Sequence, residues 1–156
     1  MSKHFQFESV MSLTGANADE RFTHRPSQAG AVALALYSAL GGSVAMPALD
    51  EKVKAGIMKA AKAIQANPGK SLIVSSSNDV NVQIIVNAIN NLAGSNGSTI
   101  DWATTSNIRQ GIDADMQQLV NDMNAGAIGG LLIAGVNPAY DYFDAEKFKA
   151  GIKKLV

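Results

Sequence analysis

The stretch Gly129–Asp141 reads GGLLIAGVNPAYD. Leu131, Leu132 and Ile133 form a short apolar run, and Gly135, Asn137 and Pro138 stop it at once. Such a run fits a parallel strand buried on both faces, opening into a loop at its carboxyl end. Open α/β sheets bind ligands outside those ends, so Gly135–Tyr142 is the first place to expect a small ligand. Ser71–Ser77, SLIVSSS, has the same form, with Leu72, Ile73 and Val74 as its core. If these two strands lie side by side and parallel, their exits share one rim.

Outward from these runs, helical periodicity alternates with them. Pro26–Leu40 starts on Pro26 and stops at Gly41 and Gly42, with Val32, Leu36 and Leu40 on one face. Asp50–Ala66 carries Val53, Ile57, Ala61 and Ile64 as a stripe and ends at Asn67-Pro68-Gly69. A third helix spans Val80–Leu92 behind a cap at Ser77, Asn78 or Asp79. A fourth spans Ala114–Asn124, and a last one Asp144–Leu155. His4–Leu13 opens as a strand, because Phe5 and Phe7 alternate with Gln6 and Glu8, and a bend follows near Ser9. Thr99–Trp102 reads as a short strand, Asn107–Asp113 as a loop, and the polar Thr14–Pro26 as a long loop or arm. Alternation of this kind predicts a three-layer α/β fold. Its sheet is mostly parallel with helices on both faces, Rossmann-like or flavodoxin-like.

The 156 residues are the length of one domain. Thirteen basic and 13 acidic side chains leave a formal net charge of zero. Nucleic-acid binders usually carry a basic surplus, so no nucleic-acid partner is expected. Cysteine is absent, which excludes disulfides, thiolate metal sites, iron–sulfur ligation and a cysteine nucleophile within this segment. The longest weakly polar run, Ala29–Leu36, falls short of the ~20 residues that span a bilayer. The amino terminus MSKHFQFE has no signal-peptide core. The segment itself is therefore expected to be soluble, without direct membrane insertion.

Candidate chemistry is sparse. Ser75, Ser76 and Ser77 sit between a strand and a helix start, where N–H groups and hydroxyls either cradle an anion or simply cap the helix. No G-x-G-x-x-G or P-loop pattern occurs in the chain. Pro138 holds Asn137 extended, so the Asn137 amide either faces a ligand edge or ends an ordinary turn. Tyr140, Tyr142 and Phe143 either stack on a ring or form an apolar patch under the last helix. His4 and His24 lack a second ligand at metal spacing and read as surface histidines. Asp19, Glu20, Arg21 and Arg25 form an exposed ion-pair group or dock the arm on a neighbour.

Three stretches carry a resemblance. SLTGANADERFTHRPSQ (Ser12–Gln28) is similar to the polar arm of the molybdopterin-oxidoreductase-like iron–sulfur subunit of bacterial alternative complex III. AINNLAGSNGSTID (Ala88–Asp101) resembles the N-x-L-x-G-x-x-G turn of that family, and LLIAGVNPAYD (Leu131–Asp141) its strand, Gly, Asn-Pro loop. The resemblance implies that residues 1–156 are one domain cut from a longer, exported subunit, membrane-associated on the periplasmic side. It implies as partners the remaining domains of that parent chain and the other subunits of a quinol-oxidising respiratory complex. In catalytic relatives the loops matching Ser75–Ser77 and Gly135–Pro138 hold molybdopterin guanine dinucleotide, which assigns Ser75, Ser76, Ser77, Gly135, Asn137 and Pro138 as candidate cofactor contacts. In the alternative complex III relatives the fold is expected to persist without that cofactor. Here serines stand where glycines would let a pyrophosphate approach the backbone. The expectation is a non-catalytic domain with no cofactor of its own, in a parent oxidoreductase. The alternatives are a guanine-dinucleotide-binding domain of a true molybdopterin oxidoreductase, such as a formate dehydrogenase relative, and a stand-alone small-ligand-binding α/β protein.

Overall fold

In the computed structural model, residues 2–104, 106 and 111–155 are described. The chain divides into two compact units, Met1–Thr105 and Ser106–Val156.

The first unit begins with β1, Phe5–Glu8, as the Phe5/Phe7 alternation predicts. The bend expected near Ser9 follows it. The arm is more ordered than its polar composition suggests. A one-turn helix, α1, covers Leu13–Ala16, and β2 covers Glu20–Thr23. The two strands pair in parallel, with Phe7 opposite Phe22 and Glu8 opposite Thr23. The Phe7 and Phe22 rings stack with centroids 5.2 Å apart. A single 3-10 turn, Pro26–Gln28, leads into α2, Ala29–Ala39. Helix α3, Glu51–Gln65, is capped by the Asp50 carboxylate, which accepts from the Lys52 N–H. Helix α4 is Val80–Leu92. Helix α2 packs against both α3 and α4.

The core of this unit joins Val32, Ala35, Leu49, Val53 and Ile57, with Phe7 and Leu36 against them. Gly56 lets α3 close on the sheet: a Cβ there would lie 2.7 Å from the Phe22 ring. Outside the core, Glu20 ties β2 to α3 through Lys59 at 3.0 Å, and to Lys3 at 2.7 Å.

The second unit holds α5 (Asp113–Ala125), the short α6 (Pro138–Asp141) and α7 (Ala145–Ile152). Gly126 ends α5 in the left-handed conformation, at φ 75°. Val120, Met123 and Phe148 form the core, and Leu131, Ile128 and Tyr142 pack on it. Of the loop expected at Asn107–Asp113, residues 107–110 lie outside the described ones, and Asp113 already belongs to α5.

The expected three-layer, mostly parallel α/β sheet does not form. Among the described residues the only sheet is the β1–β2 pair, and the chain is helix-rich. Among the described residues neither Ser71–Ser77 nor Gly129–Ala134 belongs to a ladder, so neither is the parallel sheet strand expected of it. Thr99–Trp102 contributes one isolated bridge, Asn96 to Ile100. Nor are the apolar runs buried on both faces. Leu72 is 55% exposed, Val74 78% and Leu132 92%. An apolar run becomes a sheet strand only where a neighbour offers N–H and C=O groups in register, and that neighbour cannot be read from the run itself.

Candidate functional site

The candidate residues Ser75, Ser76 and Ser77 belong to the first unit, and Gly135, Asn137 and Pro138 to the second. Before α4 the chain runs through Ser71–Val74 without regular secondary structure into a serine turn. The Asn90 side chain grips the segment. Its Oδ1 accepts from the Ile73 N–H at 3.0 Å, and its Nδ2 donates to the Ile73 carbonyl at 2.7 Å. The same Nδ2 donates to the Val86 carbonyl at 3.1 Å. Ser95 Oγ and Thr99 Oγ1 donate to the Ser71 carbonyl at 2.8 and 2.6 Å. Gln83 Nε2 donates to the carbonyls of Ser75 and Ser77.

Two of the serine hydroxyls accept from backbone N–H groups of the turn. Ser75 Oγ accepts from the Ser77 N–H at 3.2 Å, and Ser77 Oγ from the Asp79 N–H at 3.1 Å. The Asp79 carboxylate then caps α4, accepting from the N–H groups of Asn81 and Val82 at 2.8 and 3.4 Å. An anion approaching this helix end meets a carboxylate already bound to its donors. Ser76 stays exposed. Beside the segment, Leu72, Val74, Gln83, Val86 and Ile100 line an open hollow of about 240 Å³.

In the second unit Gly135 turns the chain at φ 70°, a conformation that favours glycine. Asn137 caps α6 through its backbone: its carbonyl accepts from the N–H groups of Tyr140 and Asp141, both at 2.9 Å. Its side chain makes no capping bond, and Pro138 occupies the first helical position. Of the three aromatic residues after it, Tyr142 packs against Phe148 with ring centroids 6.4 Å apart. Tyr140 and Phe143 are exposed at 83% and 79%.

A third place was not visible as a site in the sequence. The exit of β2 and the start of α3 enclose an open cleft of about 640 Å³, lined by Arg21, His24, Arg25, Gln28, Asp50 and Lys52 among others. Three cations and a histidine there face one carboxylate, so the cleft favours an anionic group. Arg21 Nε is already bonded to Glu8, and His24 Nδ1 lies 2.8 Å from the Arg25 carbonyl. The Arg21, His24 and Arg25 cluster in the arm was the signal; Lys52 joins it only through the packing of α3. The arm is anchored by Glu8. Ser12 Oγ donates to its carboxylate at 2.6 Å, and Arg21 adds a charged partner. Together these hold the Glu8 pKa down at about 2.

Among the described residues no group of three His, Asp or Glu side chains converges as a metal site. No helix among them is long and apolar enough to cross a membrane. No protein-family model matches the chain, and no curated protein matches it.

Proposed function

We propose that the chain is a non-catalytic domain of a molybdopterin-oxidoreductase-like subunit in a quinol-oxidising respiratory complex, serving as scaffold and docking surface. The reading rests on the resemblance of the three quoted stretches. The observation that carries the docking role is the segment Gly129–Val136. It is largely apolar and, among the described residues, in no ladder, with Leu132 92% and Val136 66% exposed. Exposed apolar surface of this kind marks an interaction site. The parent is read as exported and membrane-associated on the periplasmic side, with electron transfer through clusters held by other parts of the assembly. The Asp79 carboxylate, which already holds the first N–H groups of α4, favours the reading without a bound guanine dinucleotide in this segment.

The test is isolation of the tagged protein from membranes of its source under native conditions, with metal analysis and release of bound nucleotide by acid. The expected result is co-isolation with iron–sulfur or haem subunits that oxidise quinol, without stoichiometric molybdenum or guanine nucleotide. Stoichiometric molybdenum with guanine nucleotide transfers the assignment to a true molybdopterin oxidoreductase. A lone chain with no redox partner overturns both.

A further inference from the structure

We propose that the cleft between the exit of β2 and the start of α3 binds a phosphate monoester of a small, hydroxyl-rich molecule, such as a sugar phosphate. The cleft lies within the first unit, and its volume of about 640 Å³ is in the range of small-ligand sites. Arg21, Arg25 and Lys52 line it. Arg25 and Lys52 stand in no ion pair among the described residues. Arg21 bonds Glu8 through Nε, which fixes its guanidinium. The two terminal nitrogens of that group have no protein partner among the described residues. Guanidinium groups offer forked N–H donors that match phosphate oxygens, and a concave site concentrates the field of its cations.

The backbone beside these cations is set before any ligand arrives. The Arg25 N–H donates to Gln28 Oε1 at 3.2 Å, and the Gln28 N–H donates to the Arg25 carbonyl at 2.9 Å. His24 Nδ1 donates to the same carbonyl at 2.8 Å. One turn thus holds His24, Arg25 and Gln28 together, so less ordering remains to be done on binding. The Gln28 Nε2 and His24 Nε2 atoms have no protein partner among the described residues, and both residues line the cleft.

The rest of the lining selects the class of ligand. Asp50 stands among the cations. One oxygen of its carboxylate accepts from the Lys52 N–H at 2.8 Å, and the other has no protein partner among the described residues. A carboxylate here repels a second phosphate or a run of acidic side chains, and accepts readily from hydroxyls. Asp50 therefore disfavours a nucleic-acid backbone or an acidic peptide. Phe22 also lines the cleft, but its ring is stacked on Phe7 and lies against Gly56. With buried Val53 it makes an apolar floor, not a surface for stacking a nucleobase. The ligand that fits has one dianionic end for Arg21, Arg25 and Lys52, and hydroxyls for Asp50 and Gln28.

The test is calorimetric titration of the full chain with glucose 6-phosphate, inorganic phosphate, glucose and a polyglutamate peptide. The expected result is one glucose 6-phosphate per chain with a Kd below about 1 mM. Inorganic phosphate should bind roughly tenfold more weakly and glucose not at all, because each supplies only one end of the ligand. Arg25→Ala and Lys52→Ala should each weaken glucose 6-phosphate roughly tenfold. Both side chains are exposed, so neither change should unfold the unit. If Arg25→Ala disturbs the turn, Lys52→Ala decides. Asp50→Asn keeps a capping residue before α3 and should narrow the preference for glucose 6-phosphate over inorganic phosphate. A chain that takes up no phosphate ester overturns the proposal. So does equal affinity for inorganic phosphate, tighter binding of the peptide, or binding that Lys52→Ala leaves unchanged. None of these outcomes bears on the respiratory-complex assignment, which is tested on the membrane-isolated protein.

Discussion

Ser71–Ser75 and Leu131–Ala134 are near-twins in sequence, SLIVS and LLIA, and the fold supports them in different ways. The first is held by hydrogen bonds. Asn90, 2% exposed, places an amide against Ile73 and so imitates one side of a β-ladder. The second is held by packing. Leu131 rests on the Val120, Met123 and Phe148 core, while Leu132 next to it points to solvent at 92% exposure. A short apolar run therefore does not imply a sheet. A side-chain amide can satisfy one residue of a strand, and a single buried side chain can anchor another.

The contrast can be broken from either end. The largest expected effect is on the packed segment. Phe148→Ala should cost about 3–5 kcal/mol in the stability of the second unit, by denaturant unfolding, since Phe148 is 1% exposed at the centre of its core. A loss under about 1 kcal/mol would mean that packing is not what holds Leu131. Asn90→Leu should cost about 1–3 kcal/mol in the first unit, because it leaves the Ile73 N–H and C=O without their partners. Amide exchange at Ile73 should quicken in the same variant. If Ile73 stays protected, the clamp is not the cause of its order.

Acid should separate the two regions by a smaller effect. The Glu8 carboxyl, held by Ser12 and then Arg21, stands at about 2 in the fold against an ordinary 4.5. A depressed carboxyl contributes stability that is present above its unfolded value and is lost as pH falls through its folded one. Melting of the first unit should therefore fall between pH 4.5 and about pH 2, and Glu8→Gln should flatten that part of the dependence. An unchanged acid profile in the Gln variant would remove Glu8 as the source. The smallest expected effect is at Leu132. Leu132→Lys should change stability by no more than about 0.5 kcal/mol, since the side chain has little to lose on the surface. A larger loss would show that this exposed run is structural rather than a docking surface.

The longer helices were legible in the sequence for reasons visible in individual residues, whereas the one-turn α1 and α6 were not. Val80–Leu92 was marked by a cap at Ser77, Asn78 or Asp79, of which the fold uses Asp79, and α3 was marked by its apolar stripe and by Asn67-Pro68-Gly69 after it. Strand β1 was legible from Phe5 and Phe7. Strand β2 was hidden in the polar arm, because Glu20–Thr23 shows a single strongly apolar residue, Phe22. The site was legible only in part. The serine turn stands where the sequence placed it, before α4. That Asp79 uses the first N–H donors of α4 depends on backbone geometry. The basic cleft needed Lys52 from α3 beside Arg21, His24 and Arg25, and residues so far apart in the chain declare no kinship locally.

Sequence alone determined where the longer helices lie, because caps, breakers and a 3.6-residue apolar stripe act within a few residues of one another. Only tertiary structure decided which apolar runs became strands. Phe5–Glu8 found Glu20–Thr23 in register, whereas Ser71–Ser75 found Asn90 and Gln83. A ladder belongs to two segments at once, and neither one encodes the arrival of the other.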